Sequence, residues 1–185
     1  MYIMRVIAGT ARSLVLKTIE GLDTRPTTDR IKETLFNMLA PYIYEGKFLD
    51  LFAGSGGIGI EALSRGASAC TFIELNPKAV SCIKDNLKHT RLDDKANVLK
   101  YDAVSYVSGL KDIDYDVIFM DPPYGKDLEK NVLQVLSQKK FAADTLIVVE
   151  ATLEEDFSYV ESLGFDIIKE KKYKTNKHIF LEKRD

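Results

Sequence analysis

A chain of 185 residues, 45% apolar and 29% charged, has room for one domain with a real core, and this composition excludes disorder. No apolar stretch approaches the roughly 18 residues that cross a bilayer, and Met1-Tyr2-Ile3-Met4-Arg5 turns polar too soon for a secretory leader. A soluble, cytoplasmic protein with no membrane partner is expected. The net charge of −2 conceals two basic segments: residues 1–32 carry six cations against three anions, and Lys169, Lys171, Lys172, Lys174 and Lys177 face only Glu170.

Residues 3–8 and 13–19 are short and β-prone, and Gly9-Thr10-Ala11-Arg12 between them reads as the turn of a small hairpin. Residues 1–26 are taken as an N-terminal extension and 27–185 as the main domain. Thr27 or Thr28 can cap a helix on which Ile31, Leu35, Phe36 and Leu39 recur at helical spacing, with Pro41 as its stop. From Lys47 onward strands and helices alternate. Strands are expected at 48–52, 69–74, 96–100, 115–120 and 145–150. Helices are expected at 58–65, 77–89, 103–109, 127–137 and 154–163, and residues 165–168 and 179–181 form a terminal hairpin around the lysines. That alternation predicts an α/β fold: a mainly parallel seven-stranded sheet, helices on both faces, and an antiparallel hairpin at its end. Ligands of such sheets sit beyond the carboxyl ends of the strands. Asp50, Glu74, Asp102 and Asp121 all fall there.

Cys70 and Cys82 lack metal-ligand spacing and are expected as buried free thiols. His89 and His178 stand apart from them and from each other, so neither a zinc site nor a Ser-His-Asp triad is supported, and no metal is expected.

Gly54-Ser55-Gly56-Gly57-Ile58-Gly59 matches the glycine pattern of a dinucleotide site, with Glu74 twenty residues beyond Gly54. The acids choose the cofactor. A pyrophosphate needs the positive end of a helix and no nearby anion, which Asp50 would repel. S-Adenosyl-L-methionine, with an ammonium and a sulfonium, suits a carboxylate there. Glu74 can then accept both ribose hydroxyls, and Asp102 the adenine amine. Phe52, Ala53, Gly54, Ser55, Gly56 and Ala103 complete the expected cofactor set.

Asp121-Pro122-Pro123-Tyr124 closes the fourth strand. An exocyclic amine on a planar base is a poor nucleophile, because its lone pair is delocalised. Hydrogen bonds to the Asp121 carboxylate and the Pro122 carbonyl would hold it and favour pyramidal character. Pro122 and Pro123 fix the carbonyl direction, and Tyr124 offers a stacking ring. A duplexed base cannot reach such a pocket, so the target is unpaired or flipped out. Arg5, Arg12, Arg25, Thr27, Thr28, Arg30 and Lys32 are the candidates for holding the phosphates.

These residues carry a resemblance. Arg5-Val6-Ile7-Ala8-Gly9, Arg25-Pro26-Thr27-Thr28-Asp29-Arg30, Asp50-Leu51-Phe52-Ala53-Gly54-Ser55-Gly56 and Asp121-Pro122-Pro123-Tyr124 resemble, in order, the bacterial RsmD family. The resemblance implies a Rossmann-like class I methyltransferase that modifies guanine N2 of 16S ribosomal RNA within an assembling 30S particle. It implies S-adenosyl-L-methionine as donor, held by Asp50, the loop around Gly54 and Gly56, Glu74 and Asp102, with the guanine held by Asp121 to Tyr124. A monomer is expected. Lys171-Lys172-Tyr173-Lys174 matches nothing in that pattern. The rival readings are an amino-methyltransferase acting on adenine in DNA or glutamine in protein, an NAD-dependent oxidoreductase, and a non-catalytic RNA-binding module.

Overall fold

A computed structural model describes residues 3–19, 28–142 and 144–184. Strands β1 (Lys47–Asp50), β2 (Ala69–Glu74), β3 (Ala96–Lys100), β4 (Asp112–Ile113), β5 (Val117–Met120), β6 (Lys140–Phe141), β7 (Leu146–Thr152), β8 (Phe165–Lys172) and β9 (Asn176–Lys183) alternate with α1 (Asp29–Ile43), α2 (Gly57–Ser64), α3 (Pro77–Thr90), α4 (Ala103–Gly109) and α5 (Leu128–Ser137). The main sheet has the order β3-β2-β1-β5-β7-β9-β8, while β4 and β6 pair separately. Its first five strands run parallel; β9 enters antiparallel between β7 and β8. This is the expected α/β sheet with its terminal hairpin.

Alternate residues of each strand serve opposite faces. Phe48, Phe72, Phe119, Val148 and Phe180 pack on one side under Leu35, Phe36 and Leu39 of α1, Ile60 of α2 and Ile83 of α3. Leu49, Ile73, Ile118, Val149 and Leu181 pack on the other under Val107 of α4 and Val132, Leu133 and Leu136 of α5. With both faces covered, β5 is buried throughout, as a central parallel strand must be.

The N-terminal segment joins the first of these cores through Val6, Ala11 and Leu16. Among the described residues its pairing is one antiparallel bridge, Arg5 to Val15, in place of two full strands. Glu61 of α2 tethers it: the fully buried carboxylate accepts from the backbone N–H groups of Ile7 (2.8 Å) and Ala8 (3.0 Å) and from Arg65 Nε (2.8 Å). Asn86 of α3 adds a second tether by accepting from Lys17 N and donating to Lys17 O.

Three local expectations change. Pro41 lies inside α1, in its last turn, so the helix runs on to Ile43. The helix expected over 154–163 is a 3₁₀ turn, Ser158–Leu163, because Asp156 takes both the N–H and the hydroxyl of Ser158 and diverts the backbone. The terminal hairpin is longer than expected, with eight residues in each strand. Among the described residues, no helix is long and apolar enough to cross a membrane, and no group of acids, histidines and cysteines could hold a metal ion.

Candidate active site

A cleft of about 430 Å³ opens beyond the carboxyl ends of β1, β2, β3 and β5, at the point where strand order reverses. This volume suits a small organic ligand, whose sites run to about 300–1,000 Å³. Leu51, Phe52 and Gly54 line it from β1, Glu74 and Leu75 from β2, Tyr101, Asp102 and Ala103 from β3, and Asp121 to Tyr124 from β5. Leu75, Tyr101 and Tyr124 are exposed although apolar. Exposed apolar side chains gathered on one cleft mark a binding surface.

Carboxylates hold the floor in shape. Glu74 accepts from Gly54 N and from Asn76 N, both at 2.8 Å, so the turn after β1 is tied to the end of β2. Asp102 caps α4 by accepting from Ser105 N (2.8 Å). Gly54 has φ +55°, and a Cβ built on it would meet no protein atom and stand in the cleft instead. A ligand can therefore lie directly on this backbone. Asn86 Nδ2 holds Ser55 O at 2.9 Å from below.

Asp50 is placed differently from expectation. It is 1% exposed, beneath the loop, and accepts from Gly59 N (3.2 Å) in the first turn of α2. Burial lifts its carboxyl pKa from 3.8 to about 7; the Gly59 N–H opposes that, and Glu74 adds to it. Gly59 packs closely, since a Cβ there would lie 2.3 Å from Phe72 Cε1. Asp50 thus fills the helix N-terminus that a pyrophosphate would need.

Asp121 follows the last residue of β5, and the alternation that sends Phe119 and Val148 to one face sends Asp121 and Glu150 there too. Burial raises the Asp121 carboxyl pKa well above the usual range, and the neighbouring Glu150 and Asp50 charges raise it further. Glu150 is itself buried, accepting from Asn176 Nδ2 (2.7 Å) and sharing a 3.0 Å hydrogen bond with His178 Nε2. Pro122 is buried while Pro123 and Tyr124 are exposed, so the turn presents its ring outward from a fixed backbone.

Residues 4–182 match the family model described as Conserved hypothetical protein 95. YlbH of Bacillus subtilis is 43% identical over 150 residues, 80% of this chain and 82% of that one. Ribosomal RNA small subunit methyltransferase D of Haemophilus influenzae is 34% identical over 170 residues, 91% of this chain and 88% of that one. The chain belongs to the RsmD family. In solved structures the yhhF protein of Escherichia coli superposes with a TM-score of 0.87 at 31% identity, covering 100% of this chain and 99% of that one.

This RsmD-family chain brings Phe52, Gly54, Glu74, Asp102, Ala103 and Asp121 to Tyr124 together in one cleft. Ala53, Ser55 and Gly56 build the turn behind it, with Gly56 N donating to Ala53 O. The residues expected to meet phosphate are scattered. Arg12 and Arg30 are exposed, as is Thr28, whose hydroxyl caps α1. Arg5 is exposed and paired with Asp29 at 2.8 Å. Arg25 and Thr27 lie outside the described residues. Lys32 does not belong with them: it is 2% exposed, donates to Arg5 O and pairs with Glu61 at 3.4 Å. Burial pulls its pKa down, and nucleic acid cannot reach it.

Leu75, Tyr101, Lys126 and Leu128 also line the cleft, outside the expected set. Leu75 and Tyr101 carried a readable signal, as large apolar residues beside acids at two successive strand ends. Glu150 carried none, because the residues that bury it come from β9.

Proposed function

We propose that this chain transfers a methyl group from S-adenosyl-L-methionine to the exocyclic N2 amine of a guanine in 16S ribosomal RNA. One observation carries the reading: the Asp121-Pro122-Pro123-Tyr124 turn and the Glu74–Gly54 pair face the same cleft. A site for holding an amine and a site for holding a nucleoside thus open into each other. The family name of the Haemophilus influenzae relative supplies the RNA.

The residues present suit the cofactor. Glu74 still has acceptor capacity toward the ribose hydroxyls on the oxygens that hold Gly54 and Asn76. Leu75, Tyr101 and Ala103 would enclose a flat ring, with Asp102 at its amine. Gly54 leaves room for close approach, and Asp50 braces the loop from beneath through Gly59. When bound, S-adenosyl-L-methionine supplies an electrophilic methyl on a cationic sulfur. The Asp50 carboxylate at the α2 N-terminus argues against NAD.

The chain's own groups prepare the nucleophile. Asp121 and the Pro122 carbonyl accept the two amine hydrogens and aim the nitrogen lone pair. Tyr124 stacks on the base. The barrier is lowered by positioning and by carboxylates that favour a cationic donor and the charge forming on the amine. Arg5, Arg12, Arg25, Thr27, Thr28 and Arg30 hold the RNA backbone. The chain works as a cytoplasmic monomer on an assembling 30S particle.

The test is to incubate purified chain with small-subunit particles from cells lacking this modification and isotopically labelled donor. Nuclease digestion and mass spectrometry should then show N2-methylguanosine. Label in adenosine, or none in RNA, would overturn the reading.

A further inference from the structure

A second groove, of about 610 Å³, has Glu150 in its lining. The first turn of α1 forms one wall and the turn between β8 and β9 the other. Arg30 stands on the first wall, and Lys171, Lys172 and Lys174 on the second. Glu150 and Asn176 lie in its lining; both are buried, and no described residue donates a hydrogen bond to Asn176 Oδ1.

The lysines are held in place from inside. Tyr173 N donates to Asn176 O at 2.8 Å and closes the turn. The Tyr173 hydroxyl lies 3.2 Å from His178 Nδ1, its ring meets the His178 ring edge-on at 5.1 Å, and His178 in turn holds Glu150. Lysines on an edge strand often serve only to keep other strands away. That purpose needs charge along the strand and no buried polar chain beneath one turn. Lys169 illustrates the difference: it is exposed on the same strand and does not line the groove. Lys177, at 7% exposure, is taken up by Glu155 O and Glu170.

We infer that this groove seats the single-stranded RNA next to the target guanosine, with Lys171, Lys174 and Arg30 on its phosphates. Four cations around the groove match a polyanion. Its inner end, Glu150, neighbours Asp121 across one strand spacing of about 4.8 Å, so a strand lying in the groove delivers its unpaired base to the amine-holding turn. The inference rests on the RNA-methylation reading above.

The experiment measures affinity for a fluorescent, guanine-containing single-stranded RNA oligonucleotide across a salt series. The chains compared are the wild type, Lys171→Ala/Lys174→Ala and Lys169→Ala. Lys172 is left alone because it pairs with Glu170 at 3.6 Å. The double variant should bind roughly tenfold more weakly at low salt. Its log–log salt slope should fall by about 1.4, or about 0.7 for each phosphate no longer neutralised. S-Adenosylhomocysteine affinity should not change, which also shows that the variant is folded. Lys169→Ala should stay within about twofold of wild type. An unchanged slope in the double variant, or an equal loss from Lys169→Ala, overturns the groove even while the wild type methylates ribosomal RNA. A wild type that methylates no RNA overturns the functional reading, and the groove's ligand with it.

Discussion

The two halves of the functional edge are built on opposite plans. On the β1–β3 side, carboxylates are bonded to backbone N–H groups: Glu74 to Gly54 and Asn76, Asp50 to Gly59, Asp102 to Ser105. On the β7–β9 side, Glu150 is bonded to side chains, Asn176 and His178, and the charge facing outward is positive. The first plan shapes a backbone surface that one small molecule fits. The second holds a charged rim in place and leaves the backbone alone. Asp121 stands between them, on the strand that belongs to both.

Breaking the boundary should have the largest effect. Asp121→Ala should lower methyl transfer by about 10²–10³-fold, the scale of losing one oriented group in a preorganised site. Affinities for S-adenosylhomocysteine and for RNA should both survive, as calorimetry and the oligonucleotide assay would show. Loss of cofactor affinity instead would move Asp121 into the donor half.

Next comes the buried acid of that half. The Asp50 carboxyl titrates near 7 in the fold and near 3.8 when unfolded, so between these values the folded chain binds the extra proton. Stability supported by that proton is present below about pH 4 and is lost as pH rises through 7. Asp50→Asn keeps an acceptor for Gly59. It should gain a few kcal/mol over wild type by pH 8 and little at pH 4, measured by urea unfolding at both pH values. Parallel curves would show that burial does not hold Asp50 protonated.

Glu74→Ala should weaken S-adenosylhomocysteine binding by about 10–100-fold, the usual worth of one or two hydrogen bonds to a charged group, with RNA affinity unmoved. Glu150→Gln tests the link between the halves. It keeps an acceptor for Asn176 but removes the charge that raises the Asp121 pKa. Burial of Asp121 would remain, but with this second contribution gone the acidic limb of the pH–rate profile should move to lower pH. The smallest effect belongs to Arg5→Ala. Its exposed pair with Asp29 is worth under about 1 kcal/mol of stability, so urea unfolding should barely change, while RNA affinity should fall modestly with a shallower salt slope.

The same contrast explains what the sequence made legible. The donor half is written locally: a strand, a glycine turn and a helix within Lys47 to Ser64, then an acid at the end of each following strand. Period-two and helical spacing locate such pieces to within a residue or two. The hairpin half depends on which distant strands pair, and no spacing within 165–183 says that β9 inserts beside β7. Lys32 shows the same limit in one residue. It shares the three–four spacing of Leu35, Phe36 and Leu39, which places it on the buried stripe, yet Glu61, the partner that makes burial tolerable, is 29 positions away. Pro41 failed as a stop signal because α1 needed only one more half-turn after it.

The three residues Tyr173 to Thr175 join β8 to β9, whose own pairing ends at Lys172 and Lys177. Beyond Tyr173, which is tied to His178, the exposed Lys174 and Thr175 can change in number or charge at little cost to the sheet beneath. Among the described residues, the connection's hydrogen bonds and ring contacts run to Asn176 and His178 and not to the glycine turn. A lineage inheriting this scaffold could thus acquire a new substrate by rewriting one loop, while the machinery that handles the methyl donor passes down unaltered.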